Sequence, residues 1–254
     1  MACSAALLRG LMILLVATLV WRKPVEAQDS WEWPERAKNL QILPADFSPD
    51  RLRAVMTGFT RALGVRCSYC HIGEEGKPLS TYDFASDVDP EKNTARKMLK
   101  MLGVINDHLK EVKPGPTRVN MWCHTCHQGR PRPQTLEETL TEALNVDGLK
   151  AMIARYRDLR ERYYGKGAYD FSQVTLNNLG YALLGEGKLD AASAVFRLNV
   201  EFFPDSANAY DSLAESYLKR GEKELAIVYY QKSLQLDPDN KNAIENVRRL
   251  GAGD

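Results

Sequence analysis

The chain has 254 residues, which is the length of about two ordinary domains. It is 44% hydrophobic and 26% charged, a composition that excludes a collagen, a disordered tail protein and a polytopic membrane protein. Residues 28–134 carry 16 Lys and Arg against 13 Asp and Glu, a net charge of +3, and residues 135–254 carry 15 against 19, a net charge of −4. Neither segment is basic enough to indicate a nucleic-acid partner.

Residues 1–27 are predicted to be an export signal. An uncharged apolar run over 11–21 precedes a small-residue cleavage site at Ala27. The run is shorter than the roughly 20 residues that span a bilayer. An uncleaved anchor is the alternative, because Arg22 and Lys23 follow the run; only then is the protein expected at a membrane. In both cases the chain is predicted to be periplasmic or extracellular.

Two short motifs contain four of the five cysteines. They are Cys67-Ser68-Tyr69-Cys70-His71 and Cys123-His124-Thr125-Cys126-His127. Two cysteines followed directly by a histidine form the attachment pattern of c-type haem. The thiols add to the two vinyl groups of one porphyrin, and the imidazole becomes the proximal iron ligand. We therefore predict two covalently bound c-type haems, with thioethers at Cys67, Cys70, Cys123 and Cys126 and proximal ligands at His71 and His127.

A four-thiolate zinc site and a pair of disulfides are the alternatives for these cysteines. The two pairs lie 56 residues apart, which is far beyond the ligand spacing of a zinc ribbon. Neither alternative accounts for both histidines. Export agrees with haem attachment, since bacteria form the thioether bonds outside the cytoplasm.

The sequence before the first motif predicts a helix that begins at Ser48-Pro49 and ends at Gly64. Met56 lies on its apolar face, 11 residues before Cys67. A helix that folds back over the haem would place this thioether on the distal side of the first iron. The alternative is that Met56 only fills the core.

The sequence does not decide which residue is the sixth ligand of the second haem. A helix predicted to begin at Asp89-Pro90 carries the candidates Met98, Met101 and His108, and Met121 is a further candidate. The alternative for both methionines is core packing. Arg130 and Arg132 are the nearest cations to the second motif, and we predict that they pair with its propionates; solvent exposure is the alternative.

Residues 43–133 resemble the last two haem segments of the cytochrome subunit of bacterial photosynthetic reaction centres. The resemblance rests on the methionine-bearing helix, on Ala95–Met101 with Ile105-Asn106-Asp107, and on the second motif with Gln128–Pro131. It implies a mostly helical fold around a chain of haems, electron transfer to a membrane acceptor, and Met56 as sixth ligand. That family has four haems, and the missing half supplies the distal histidine of its last haem.

Residues 173–206 and 207–240 repeat with a period of 34. Small residues, large residues and a proline recur at equal offsets, as in Gly180 and Ala214 or Pro204 and Pro238. The pattern resembles the tetratricopeptide repeat, in which two antiparallel helices form each unit. Residues 241–250 are predicted to form a capping helix with Ile244 and Val247 facing inward.

A Thr135–Glu138 capping box predicts one connecting helix to about Leu144. A second connecting helix, from Leu149 to about Tyr164, is predicted to dock on the first repeat.

The predicted organisation is all-α. Residues 1–27 form the signal peptide or anchor, 28–134 the dihaem domain, 135–171 the connecting helices and 172–254 the repeat domain.

Three functions are compatible with this organisation. The first is an exported electron carrier with redox protein partners, whose repeats dock it to a partner or assemble copies of the chain. The second is an enzyme such as a dihaem peroxidase, with one open coordination position. The third is a scaffold in which the haem is structural. The motifs favour the electron carrier.

Overall fold

The computed structural model describes residues 31–112 and 119–251. Within these ranges the chain forms ten α-helices and no β-strand, so the predicted all-α fold is confirmed. The predicted export segment lies outside the described residues. No helix of the described part is both long and apolar enough to cross a membrane.

The helices before the repeats are α1 Pro49–Leu63, α2 Pro90–Val112, α3 Cys123–His127, α4 Leu136–Asp147 and α5 Leu149–Tyr163. The repeats and their cap contain α6 Gln173–Gly185, α7 Leu189–Phe202, α8 Ala207–Lys219, α9 Lys223–Leu236 and α10 Lys241–Gly251. Two single 3-10 turns, Cys67–Tyr69 and Leu79–Thr81, lie between α1 and α2.

Helix α1 begins and ends where the sequence predicts. The Ser48 hydroxyl accepts a hydrogen bond from the backbone N–H of Arg51 at 3.3 Å, and Pro49 occupies the first helical position. Gly64 ends the helix with φ 66°, in the left-handed region that favours glycine. The backbone N–H of Gly129 donates to the Ala62 carbonyl at 2.8 Å. The end of α1 therefore packs, backbone to backbone, against the turn that follows α3.

The connecting helices share one hydrophobic core with the repeats. The predicted capping box is present, with Thr135 and Glu138 each accepting the other's backbone N–H, and α4 extends to Asp147. Tyr156 of α5 is completely buried, and its ring centroid lies 5.3 Å from that of Phe202 in α7. The predicted docking of α5 on the first repeat is thus confirmed.

The repeat helices pack through small residues, as the 34-residue period predicts. A Cβ atom at Gly180 would lie 2.5 Å from the Phe196 ring, so only glycine allows α6 and α7 to approach this closely. In α10 the prediction for Ile244 was wrong, because this side chain is 47% exposed. Ala243 is fully buried instead, and Val247 packs against the core, since residues four apart lie on one helix face.

Helix α2 differs from every repeat helix. None of its 23 residues is buried, although its sequence has a clear apolar face. That face forms one wall of the cleft described next.

Candidate haem-binding site

The second motif folds as the single helical turn α3. The backbone N–H of Trp122 donates to the Thr125 hydroxyl at 3.1 Å, which begins the turn. Gln128 and Gly129 follow with φ 50° and 82° and reverse the chain. The spacing of the motif thus places Cys123 and Cys126 on one turn, as thioether attachment to a single porphyrin requires.

His127 is buried, with 8% of its surface exposed. Its Nδ1 lies 2.9 Å from the Arg130 carbonyl oxygen. A carbonyl can only accept, so Nδ1 donates the proton, and Nε2 is the ring nitrogen that is available to bind a metal. The tautomer needed for a proximal haem ligand is therefore set by the backbone.

An apolar cleft that is open to solvent at its mouth lies in front of this turn. Its cavity volume is about 140 Å³. One wall is the apolar face of α2, which includes Met98 and Met101. The opposite wall contains the second motif, through Cys123, Cys126 and His127.

Cys70 of the first motif also lines this cleft. The two attachment motifs, which are 56 residues apart in the sequence, therefore border a single cavity. A side-chain amide fixes the α2 wall: Asn106 donates to the Met121 carbonyl at 3.0 Å and accepts its N–H at 2.7 Å. The spacing of the motifs does not predict this positioning role of Asn106.

His71 of the first motif lies in an aromatic cluster outside the cleft lining. Its ring meets Phe84 edge-on, with centroids 5.0 Å apart, and Trp31 and Tyr82 also pack on Phe84. Burial lowers the pKa of His71, the charge of Lys92 lowers it further, and the Phe84 carbonyl partly opposes the shift. The ring is therefore neutral at pH 7, as metal ligation requires. Its buried Nδ1 has no hydrogen-bond partner among the described residues.

The remaining candidate ligands are divided between cleft and surface. Met98 and Met101 line the cleft, and Met98 also borders an adjoining opening together with His127. His108 is exposed and is not among the residues that line the cleft. Met56 is half-buried on α1 and likewise does not line it. The structure thus brings the two methionines of α2, but not His108, to the second motif.

The two arginines after the second motif differ in environment. Arg130 is 7% exposed and its donors are directed at protein acceptors. Arg132 is exposed and forms an ion pair with Glu142 at 2.9 Å. The pairing of either residue with a propionate stays a prediction.

The residues present fit a covalently bound haem. All four motif cysteines are free thiols, and burial raises the pKa of Cys70 to about 11 and also raises that of Cys123. The thiols of Cys70 and Cys123 are therefore neutral at pH 7 and add to the apolar lining of the cleft. Within 31–112 and 119–251, no three or more His, Cys, Asp or Glu residues converge as a metal-ion site.

Comparison with known proteins agrees with this geometry. The sequence profile of the photosynthetic reaction centre cytochrome C subunit matches residues 18–161, more than half of the chain. The chain belongs to this family. The matched range extends beyond residues 43–133, which carry the resemblance, at both ends, and it includes α4 and most of α5. A tetratricopeptide-repeat profile matches residues 207–240, which confirms the repeat at α8 and α9.

Two cytochromes and one tetratricopeptide-repeat protein are moderately similar to this chain. Cytochrome c-554 of Chloroflexus aurantiacus is 30% identical over 118 residues, covering 46% of this chain and 26% of that protein. The photosynthetic reaction center cytochrome c subunit of Roseobacter denitrificans is 32% identical over 106 residues, covering 41% and 27%. The chloroplastic tetratricopeptide repeat domain-containing protein PYG7 of Arabidopsis thaliana is 36% identical over 74 residues, covering 29% and 24%. The chain thus spans about a quarter of the length of each relative.

Asp87 connects the segment before α1 to the start of α2. Its carboxylate contacts Lys92 and Arg96 at 2.9 Å and accepts from the Asn39 side chain at 2.8 Å. Lys92 also donates to the Phe84 carbonyl at 3.1 Å, beside the His71 cluster. Hydrogen bonds from Arg96, Asn39 and Lys92 hold the pKa of Asp87 well below its usual range.

This environment predicts a pH-dependent contribution of Asp87 to stability. Because its pKa is lower in the folded state, the contribution is complete above the unfolded value of about 3.9 and falls as pH drops toward the folded value. Asp87→Asn is expected to be less stable than wild type by a constant amount from pH 7 to 5, and by less at pH 3. Urea unfolding followed by far-ultraviolet circular dichroism measures this difference. Glu75→Gln, which removes the exposed ion pair with Arg66, is the control and is expected to change stability little at any of these pH values.

Proposed function

We propose that the protein is an exported dihaem electron carrier whose repeats dock it to a protein partner. The observation that carries this proposal is the shared cleft: Cys70 of the first motif and Cys123, Cys126 and His127 of the second line the same cavity. Two haems attached there would be close neighbours. Membership of the cytochrome family supports covalent haem, which supplies a reversible one-electron couple when bound.

The residues of the chain have separate tasks in this proposal. The four motif cysteines would hold the two haems, and His71 and His127 would bind the irons. The Arg130 carbonyl orients His127 through Nδ1. The apolar face of α2 forms one wall of the cleft, and apolar surroundings strengthen the effect of nearby charges on a redox site.

Met56 and Met98 are the proposed sixth ligands of the first and second haem. Met56 is supported by the family resemblance, in which the methionine at this position binds iron. Met98 is supported by the structure, because it borders both the cleft and the adjoining opening together with His127. Met101 lines the cleft only, and it serves as the matched comparison.

The repeats and the charge distribution support a carrier that works with a protein partner. Tetratricopeptide repeats present helical surfaces to other proteins, and this chain has a +3 half that contains the haem motifs and a −4 half that contains the repeats. The partner is a redox protein, and a second copy of the chain is the alternative occupant of the repeat surface. Sedimentation analysis distinguishes them, since self-assembly makes the mass depend on concentration.

Redox-titrated optical and EPR spectra of the purified holoprotein test this assignment. Wild type is expected to show two low-spin haems. Met56→Ala is expected to lose the low-spin signal of the first haem, and Met98→Ala that of the second, because each loses its sixth ligand. Met101→Ala and His108→Ala are expected to keep both signals.

A spectrum of Met56→Ala identical to wild type would remove this residue from the iron. Loss of the second low-spin signal in Met101→Ala, with Met98→Ala unchanged, would transfer the ligand to Met101. A high-spin ferric haem in wild type that shifts with cyanide or peroxide would contradict the electron carrier and favour the enzyme.

A further inference from the structure

A buried positive charge lies directly behind the second motif. Arg130 Nε donates to the His127 carbonyl at 3.2 Å, Nη2 contacts the Gln128 side-chain oxygen at 3.4 Å, and Nη1 donates to the Gln134 carbonyl. All three acceptors are neutral, so these bonds satisfy the guanidinium without cancelling its charge. A buried charge without a counter-charge is costly, and such a group needs support from elsewhere in the fold.

Tyr169 supplies that support. The guanidinium carbon of Arg130 lies 4.4 Å from the centroid of the Tyr169 ring, which is a cation–π contact. Tyr169 belongs to the segment between α5 and α6, and its ring packs on Tyr163 at 5.4 Å and on Phe171 at 5.9 Å. Phe171 is part of the core that the connecting helices share with the repeats. The charge is therefore held between the haem motif and the base of the repeats.

We propose that Tyr169 holds the Arg130 guanidinium beside His127, and that this fixed charge raises the reduction potential of the second haem. The proposal rests on the proposed function, because it requires a haem at Cys123 and Cys126. Reduction adds one electron from an external donor and no atoms, so it lowers the positive charge of the site by one. A nearby cation stabilises the reduced form relative to the oxidised form, and burial strengthens this effect.

The two residues have different roles in this inference. Arg130 supplies the charge, and its carbonyl also accepts the Nδ1 proton of His127. Tyr169 touches neither His127 nor a motif cysteine in any contact described above, so it is a positioning residue. Its effect is expected to depend on the aromatic ring and not on the hydroxyl.

A potentiometric titration of the full-length holoprotein, followed by EPR, tests the proposal. Arg130→Gln and Tyr169→Leu are expected to move the midpoint potential of the second haem to more negative values and to leave that of the first haem unchanged. Tyr169→Phe is expected to match wild type, because it keeps the ring. Arg162→Gln is the matched control: Arg162 lies over the neighbouring Tyr163 ring at 5.4 Å but is exposed and paired with Asp158, so no shift is expected.

Arg130→Lys keeps the charge but not the planar fork, and its second midpoint is expected to lie above that of Arg130→Gln. Thermal unfolding of each variant shows whether it is folded. Unchanged midpoints in folded Arg130→Gln and Tyr169→Leu, with two haems bound, would overturn the inference. A shifted midpoint potential in Arg130→Gln with an unchanged one in Tyr169→Leu would overturn the role of Tyr169. A wild-type protein without a second haem would instead overturn the proposed function, and the mass spectrum distinguishes that failure from the other two.

Discussion

Replacement of Cys123 and Cys126 by alanine is expected to remove one covalent haem from the purified protein and to leave the other in place. Both thiols line the cleft that holds the second attachment site, and a haem without a thioether bond separates from the chain under denaturing conditions. Intact mass spectrometry after denaturation measures the loss as the mass of one haem.

The matched variant for this experiment replaces Cys67 and Cys70 by alanine. It is expected to lose one haem as well, because the two motifs have the same form and act independently. Two haems in wild type and one in each double variant establish a dihaem protein with these attachment sites. A wild-type chain with one haem or none, or a double variant that keeps both, would contradict the assignment.

Gly64→Ala is expected to destabilise the protein by about 2–5 kcal/mol. The residue has φ 66°, where an alanine is strained by roughly 1–2 kcal/mol. An added Cβ would also meet the Gly129 carbonyl oxygen at 2.1 Å, and relief of such a clash costs about 1–3 kcal/mol. The close contact between the end of α1 and the turn after α3 cannot form around this methyl group.

Gly76→Ala separates the two causes. Gly76 has φ 86° but no atom within 4 Å of its added Cβ, so this variant has the backbone strain without the clash. It is expected to lose only about 1–2 kcal/mol. Urea unfolding gives both free energies. Equal losses in the two variants would show that the contact with Gly129 contributes nothing to stability.

Haem attachment could be predicted from the sequence because its pattern is local. Thioether bonding to one haem requires two cysteines three residues apart followed by a histidine, which is the spacing of Cys67, Cys70 and His71 and also of the motif at Cys123. Helix ends are local in the same way, so Ser48 and Gly64 delimited α1 correctly. The repeat could be predicted from its period, because each unit packs on its neighbour through the same positions.

The parts that sequence did not predict depend on contacts between distant segments. Tyr169 is 39 residues from Arg130, and nothing in the spacing of either residue indicates that they stack. The shared cleft likewise required the backbone contact between α1 and the turn at Gly129. The prediction for Ile244 was wrong at a local level. Periodicity placed Ile244 near the apolar face of α10, but its neighbour Ala243 is the residue that is buried against the core.

The exposed apolar face of α2 has a consequence for the biogenesis of the protein. None of the 23 residues of this helix is fully buried, so packing on the rest of the polypeptide stabilises it less than it stabilises a buried helix. A porphyrin in the cleft would cover the apolar face of α2 and add to the stability of the fold. A newly synthesised chain without bound haem presents Met98 and Met101 to solvent, and it is expected to be cleaved by proteases or to aggregate before the finished cytochrome would be.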